Sequence, residues 1–276
     1  MTKTRRTTSN RPAKTTRRGV RPSVFGDTLV MAGRSVTVAR RTPTTMLTAT
    51  FMPAILLLTM TAGFAKVVNP DGSYADYVNW VLPLLVMMGV MFSSINTGIA
   101  AHQDLKSGLH DRLRTLPIAQ SAPLVGRIIG DAARNLATVV VVVALGIVLG
   151  FRFDTSIFAI IGFFVLPLGV GAGFAWLAVA VAVRAVTAES VESQLDAGLL
   201  VLSFLSTGFV PKHDLPGWAQ PIAEVNPVSS VVEAMRALAH GGAVAGPLVC
   251  SLAWSVALTT VFGVLAVRTY RRRAGR

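Results

Sequence analysis

The sequence predicts an all-α integral membrane protein with six transmembrane helices. Three observations point there. Of its 276 residues, 52% are hydrophobic and only 14% charged, against about 25% charged in an average soluble protein, and the mean hydropathy is +0.59. Six apolar segments stand apart from one another, over residues 44–65, 78–100, 136–151, 157–183, 195–210 and 243–267. Lysine and arginine are not spread evenly between them, but collect in every second connection, as the topology of membrane proteins requires.

Residues 1–22 are rich in Arg, Lys, Thr and Pro and almost free of large apolar side chains, which predicts a disordered basic tail. No apolar core follows those charges directly, so the tail does not read as a cleavable signal. Residues 23–276 form the transmembrane domain. In its first part, Phe25, Leu29, Ala32, Val36 and Ala39 trace one helical face while Asp27, Arg34 and Arg41 recur every seven residues. That suits a helix lying in the membrane interface, although a weakly amphipathic soluble helix would show the same spacing.

Segments 44–65 and 78–100 are close to the ~20 residues that cross a hydrocarbon core. Segments 136–151 and 195–210, at about 16 residues, need help from flanking turns or local thinning. The longer 157–183 contains Gly162, Gly169, Gly171 and Gly173, which would let neighbouring helices approach closely, and Pro167, which would bend it. The middle of each segment is free of ionisable residues, Asp196 at the edge of the fifth aside. Cys250 lies in an apolar run and is the only cysteine, so intrachain disulfides and cysteine metal sites are excluded and a packing role is expected.

Two connections are informative. Between the second and third segments, Leu109, Leu113 and Leu116 recur at i, i+4 and i+7, with His110, Asp111, Arg112 and Arg114 off that face. Gly108 precedes this short helix, Pro117 stops it, and Ser121 can cap a second helix with Pro123 in its first turn. The result is a compact helical knob, or else a solvated connector. After the fifth segment, Pro211, Pro216-Gly217, Pro221 and Asn226-Pro227 break the chain into short pieces. Ser229 or Ser230 can cap a helix there, with Val231, Val232, Met235 and Leu238 on one face. Glu233 and Arg236 are spaced for a surface pair, and Gly241-Gly242 end the helix. At about ten residues it is too short to cross, so a hairpin seated in the outer leaflet is expected. Tyr74, Tyr77 and Trp80 suit an outer aromatic belt.

Of the 26 Lys and Arg residues, 22 fall in the tail and interfacial helix, the 101–135 loop, Arg184 and the C-terminal end. Only Lys66, Arg152, Lys212 and Arg236 fall on the opposite side. With six spans, both termini are expected in the cytoplasm. The positive charge is therefore topological and does not indicate a nucleic-acid partner.

The run DLKSGLHDRLRTLPIAQSAPLVGRIIGD, from Asp104 to Asp131, resembles the cytoplasmic loop of ABC type-2 exporter permeases of the daunorubicin-resistance kind. The stretch from Phe209 to Leu238 is similar to the outer hairpin of that group, above all at Phe209-Val210-Pro211, Pro216-Gly217-Trp218 and Asn226-Pro227. The resemblance runs from about Asp27 onward. Where many such permeases begin this loop with several glutamates, the acids here are Asp104 and Asp111, with Lys106 between them.

The resemblance implies an interfacial helix, six spans, a cytoplasmic coupling helix and a re-entrant outer hairpin. It also implies a cell-membrane exporter for a hydrophobic or amphipathic cargo, a drug-like antibiotic or a lipid, built from two permeases (a second copy or a paralogue). A separate ABC ATPase subunit would hold the ATP and magnesium. Asp104, Gly108, Leu109, Asp111, Arg112, Leu113, Arg114, Leu116 and Pro117 would form the coupling site, and Pro211, Pro216, Gly217, Trp218, Asn226 and Pro227 the hairpin. The residues agree on one point independently: no G-x-x-x-x-G-K-[ST] phosphate loop is present, so the chain is not expected to be an enzyme or to carry a cofactor of its own. A membrane hydrolase would need a nucleophile and base or a metal, and His102, His110, His213 and His240 all lie outside the apolar segments. An accessory protein that anchors an ATPase without transport of its own remains the other reading. Phe163, Phe164, Trp176, Phe204 and Trp254 could touch cargo or serve plain helix packing.

Overall fold

The computed structural model describes residues 43–68, 70–106 and 122–274, and among these it is helical with no strand. The basic tail, the expected interfacial helix over Phe25–Arg41, and the loop residues 107–121 lie outside the described residues. Among the described residues eight α-helices follow one another: α1 (Pro43–Val68), α2 (Tyr74–Lys106), α3 (Ala122–Val148), α4 (Ile157–Ala182), α5 (Ala188–Phe204), α6 (Gln220–Glu224), α7 (Pro227–His240) and α8 (Ala245–Ala274). A single 3-10 turn, Lys212–Asp214, precedes α6.

Five of these helices, α1, α2, α3, α4 and α8, are long and apolar enough to cross a membrane. Their outer faces are bare hydrocarbon: Phe51, Val148, Phe158 and Val256 are all more than 60% exposed. A water-soluble protein would not tolerate so much apolar surface, so a multi-pass membrane protein is the consistent reading. The α5 helix is 17 residues long and falls just short of a span by itself.

The bundle is organised around α2, whose apolar window is 83% buried. It packs against α1, α3, α4, α5 and α7. Between α2 and α4 the approach is set by Gly171, where an added Cβ would collide with Val90. Between α4 and α8 it is set by Gly173, whose Cβ would lie 2.6 Å from that of Leu258. Without a hydrophobic driving force in lipid, such close backbone approach is the main source of packing energy. The α4 helix continues through Pro167 from Ile157 to Ala182, close to the expected 157–183.

Three expectations are corrected. The third apolar segment is not a short span over 136–151: α3 begins at Ala122, and its apolar window runs from Gly126 to Val148. The second helix of the expected knob is thus the first half of that span. The fifth segment does not run over 195–210 either, since α5 starts at Ala188 behind a Thr187–Ser190 capping box and stops at Phe204. Cys250, expected to pack inside, is exposed on the outer face of α8.

Candidate functional site

Both ends of the bundle are defined by their residues. Lys106, Arg127 and Arg184 mark the basic end, and the segment from Phe209 to His240 marks the hairpin end. A groove of about 800 Å³ runs between α1, α2 and α5. Met52, Leu56, Met60 and Phe64 line it from α1, each four residues from the last, so one helical stripe forms a wall. Glu192, Asp196, Leu200 and Phe204 line it from α5 at the same spacing, and α2 closes the floor with Leu85, Met88, Phe92 and Ile95. The groove is therefore apolar along its length, with two carboxylates at the basic end. At the hairpin end stand Tyr77, Val210 and the stacked rings of Phe204 and Phe209, 4.9 Å apart.

Of the aromatic residues expected near cargo, only Phe204 lines this groove. Phe163 is fully buried in a cluster with Phe151, Phe153 and Phe164, and Trp176 lies over Gly263 on α8. Trp254 is half-buried and packs against the core from α8. The two four-residue stripes were present in the sequence and could have identified the groove. What they lacked was any indication that they face each other.

At the basic end a polar network joins α2 to α3. Arg134 pairs with Asp131 at 2.9 Å and donates to Ser93 Oγ at 3.1 Å. The Thr97 hydroxyl donates to Asp131, and Arg127 pairs with Asp104. Asp131 and Arg134 lie within the apolar window of α3. Ionisable groups are therefore present inside a span, contrary to expectation. Among the expected coupling residues, Asp104 is placed on the last turns of α2, tied to α3 through Arg127. Gly108, Leu109, Asp111, Arg112, Leu113, Arg114, Leu116 and Pro117 lie outside the described residues.

At the hairpin end, Pro211 precedes the 3-10 turn, Pro216 accepts backbone bonds from Ala219 and Gln220, and Trp218 is exposed near the tip formed by Gly217. Lys212 pairs with Glu224 across the hairpin. The helix α7 is capped by Asn226, not by Ser229 or Ser230: Asn226 Oδ1 accepts from the Val228 amide at 2.8 Å, and Pro227 occupies the first turn. Val231, Val232, Met235 and Leu238 are buried as expected, and Gly241 ends the helix with φ +83°. Its C-terminal end is pinned to the α3–α4 connection, where the Asp154 amide and the Thr155 hydroxyl donate to Ala239 O and Leu238 O.

Glu233 and Arg236 are not a surface pair. Asn226, Ser229, Glu233 and Arg236 form one stripe on α7, facing the chain that follows α5. Asn226 Nδ2 donates to Leu202 O and Leu205 O at 2.7 and 2.9 Å. Ser229 Oγ accepts from the Thr207 amide, and Glu233 accepts from the Thr207 hydroxyl. Arg236 donates to Thr207 O, Gly208 O and Trp80 O at 2.9, 2.6 and 3.0 Å, and its guanidinium sits 3.5 Å over the Trp80 ring. Burial pushes its pKa down to about 9, with Glu233 opposing the shift, so it still carries its charge at neutral pH. Trp80, expected in an outer aromatic belt, belongs instead to this cluster; Tyr77 is buried, and only Tyr74 is exposed.

The ABC-2 type transporter family model matches residues 27–239. The chain is 32% identical over 260 residues to the daunorubicin resistance ABC transporter permease protein DrrB1 of Streptomyces coeruleorubidus, covering 93% of this chain and 90% of that one. It is 30% identical over 249 residues to a probable doxorubicin resistance ABC transporter permease protein, DrrC, of Mycobacterium tuberculosis, covering 89% and 88%. Over 209 residues it is 25% identical to the doxorubicin resistance permease DrrB of the same organism.

Proposed function

The chain belongs to the ABC-2 type transporter family, and from that premise we propose that it is the membrane permease of an exporter for hydrophobic or amphipathic molecules, powered by a separate ABC ATPase. The observation that carries the cargo class is the groove between α1, α2 and α5: most of its lining is apolar, and among the described residues the charged ones that line it are Glu192 and Asp196 at one end. A sugar would find few polar partners there, only Ser93, Asn96, Tyr77 and the two carboxylates, whereas an apolar body with a polar or cationic group would find both kinds of contact. Drug-like antibiotics such as those named for the relatives fit this description, and so do lipids.

On this reading two permeases assemble with two ATPases, α5 and the turn after it complete a sixth pass, and both termini face the cytoplasm. The basic end is then cytoplasmic and the hairpin end external. The stretch Leu109–Leu116 docks in a cleft of the ATPase, its leucine face as anchor and Asp111, Arg112 and Arg114 setting register. The Asp104–Arg127 pair supports this, because it ties together the two helices from which the loop hangs. Movement of the loop would thereby reach α2 and α3 together, and α2 forms the floor of the groove.

The test is reconstitution of permease and ATPase in liposomes, with doxorubicin accumulation followed with and without ATP. Wild type should transport only with ATP. An interfacial anchor typically costs ~2 kcal/mol or more when truncated, so Leu113→Ala with Arg112→Glu should abolish transport and weaken co-purification of the ATPase while leaving insertion intact. Wild-type transport by the double variant would make the loop a solvated connector. ATPase binding without transport of any apolar cargo would make the chain an anchor.

A further inference from the structure

The groove is separated from a second cavity by a short stretch of non-helical backbone. This recess, of about 530 Å³, opens at the hairpin end and carries more charged and polar side chains than the groove: Asp76, Asn79, Lys212, Glu233 and His240 all line it. Thr207 and Pro211 face the recess, while Phe204, Phe209 and Val210 face the groove. One segment, residues 204–211, therefore forms the wall between the two.

Inside the wall the ties come from Ser206, whose hydroxyl donates to Ser203 O and accepts from the Gly208 amide. The α5 helix ends at Phe204, the Leu205 amide closing on Val201 O, and carbonyls near and beyond that end need partners from outside the helix. Away from water such groups must be satisfied from elsewhere. They are satisfied by a different element: Asn226 takes Leu202 O and Leu205 O, and Arg236 takes Thr207 O and Gly208 O. Trp80 adds its indole N–H to Phe209 O at 3.4 Å, and its ring supports the Arg236 guanidinium.

We propose that Arg236 is the positioning residue that latches this wall shut, and that cargo leaves the groove through the polar recess when Arg236 lets go of Thr207 and Gly208. The chemistry suits a latch that can open. The bonds holding the wall run between side chains of one element and backbone of another, so a small rotation of α7 against α2 breaks them together. A guanidinium released into the recess is rehydrated, and that hydration offsets part of the lost hydrogen bonding, which makes the two positions comparable in free energy. A lysine could not replace it, since a point charge cannot span Thr207 O, Gly208 O and Trp80 O in a planar fork. The proposal rests on the exporter reading in one respect, that the hairpin end faces outward.

Cysteine accessibility in whole cells tests it without requiring transport. On a Cys250→Ala background, Phe204→Cys places a thiol at the groove side of the wall, Tyr74→Cys supplies an exposed control, and Leu199→Cys a buried one. A membrane-impermeant maleimide added outside should react slowly with the Phe204→Cys thiol when Arg236 is intact. With Arg236→Gln the rate should rise at least tenfold, and Arg236→Lys should give an intermediate rate. The Leu199→Cys thiol should stay silent and that of Tyr74→Cys unchanged. A change of less than twofold at Phe204→Cys would overturn the latch, and so would an equal rise at Leu199→Cys, which would show general loosening. If Arg236→Gln fails to insert, Arg236→Lys, which keeps the charge but cannot hold Thr207 O, Gly208 O and Trp80 O together, should still raise the rate severalfold; no rise there overturns the latch as well. Faster labelling in a chain that transports nothing with ATP would keep the latch and discard the exporter reading.

Discussion

Replacing Asp131 by alanine should destabilise the chain by about 2–4 kcal/mol, the deficit coming from Arg134. The two side chains are only 11% and 16% exposed, and sit 2.9 Å apart within an apolar helix. Removing one partner of such a buried pair costs about 3–5 kcal/mol, because the remaining charge is left without compensation. Arg134 lies eight residues from Gly126, where the apolar window of α3 begins, roughly 12 Å at 1.5 Å per residue. A long side chain at that depth can reach part of the way to the interface, which lowers the cost. Ser93 Oγ still accepts from Arg134 in the variant, lowering it further. Unfolding in mixed micelles of rising SDS content, read by tryptophan fluorescence, measures the loss. Asp131→Asn, which can keep the bond from Thr97, should fall between alanine and wild type. The decisive comparison is Asp131→Ala with Arg134→Ala, which removes the orphaned charge and should be less destabilised than Asp131→Ala alone. A loss below about 0.5 kcal/mol for the single variant, or a double variant whose losses simply add, would refute the assignment of the energy to an uncompensated cation.

Gly173→Ala should cost about 1–3 kcal/mol in the same assay, because the new Cβ meets Leu258 Cβ at 2.6 Å and neither atom can rotate away. Gly63→Ala, with nothing within 4 Å, should be neutral or slightly stabilising, and equal losses at both sites would remove close packing as the cause. For topology, on the Cys250→Ala background, thiols introduced at Ser73 and Lys212 should react from outside intact cells and one at Ser107 should not; labelling at Ser107 would invert the orientation.

How much of this was legible in the sequence depended on whether the signal was local. The span over Ile157–Ala182 was read within a residue of its ends, because an unbroken apolar run bounded by Ser156 and Arg184 needs no partner to be recognised. The start of α3 was not. Arg127, Asp131 and Arg134 make its first turns look like loop, yet at i, i+4 and i+7 they occupy one face. That face meets Ser93, Thr97 and Asp104 on α2, themselves on one side of their helix. Each helix alone shows a polar stripe; only the pair shows that the stripes cancel. A hydropathy average sums over one stretch of chain and cannot register complementarity between residues 23 to 41 positions apart.

The same cause explains the misreading of α7 and bears on how this molecule could move. Glu233 and Arg236 looked like a surface pair, and Asn226 and Ser229 like a turn and a cap, because their partners are the Thr207 hydroxyl and backbone atoms on other segments, and backbone carries no sequence signature at all. In both places the polar groups point at other parts of the protein rather than at lipid, as cost requires. Both lie at an end of α2, one near Ser93 to Asp104 and one at Trp80. Between them α2 is apolar and buried against its neighbours, with Pro83 interrupting its hydrogen-bond ladder three residues after Trp80. A displacement imposed where Asp104 meets Arg127 travels along α2 to the extent that close packing on every side holds the helix straight at Pro83. It reaches Trp80, where it meets the ring that supports Arg236. If the two ends are joined in this way, a variant weakening the basic-end network, such as Thr97→Val, should change the labelling rate at Phe204→Cys without touching any residue of the wall. An unchanged rate in an inserted, folded Thr97→Val chain would show that the two polar clusters act independently.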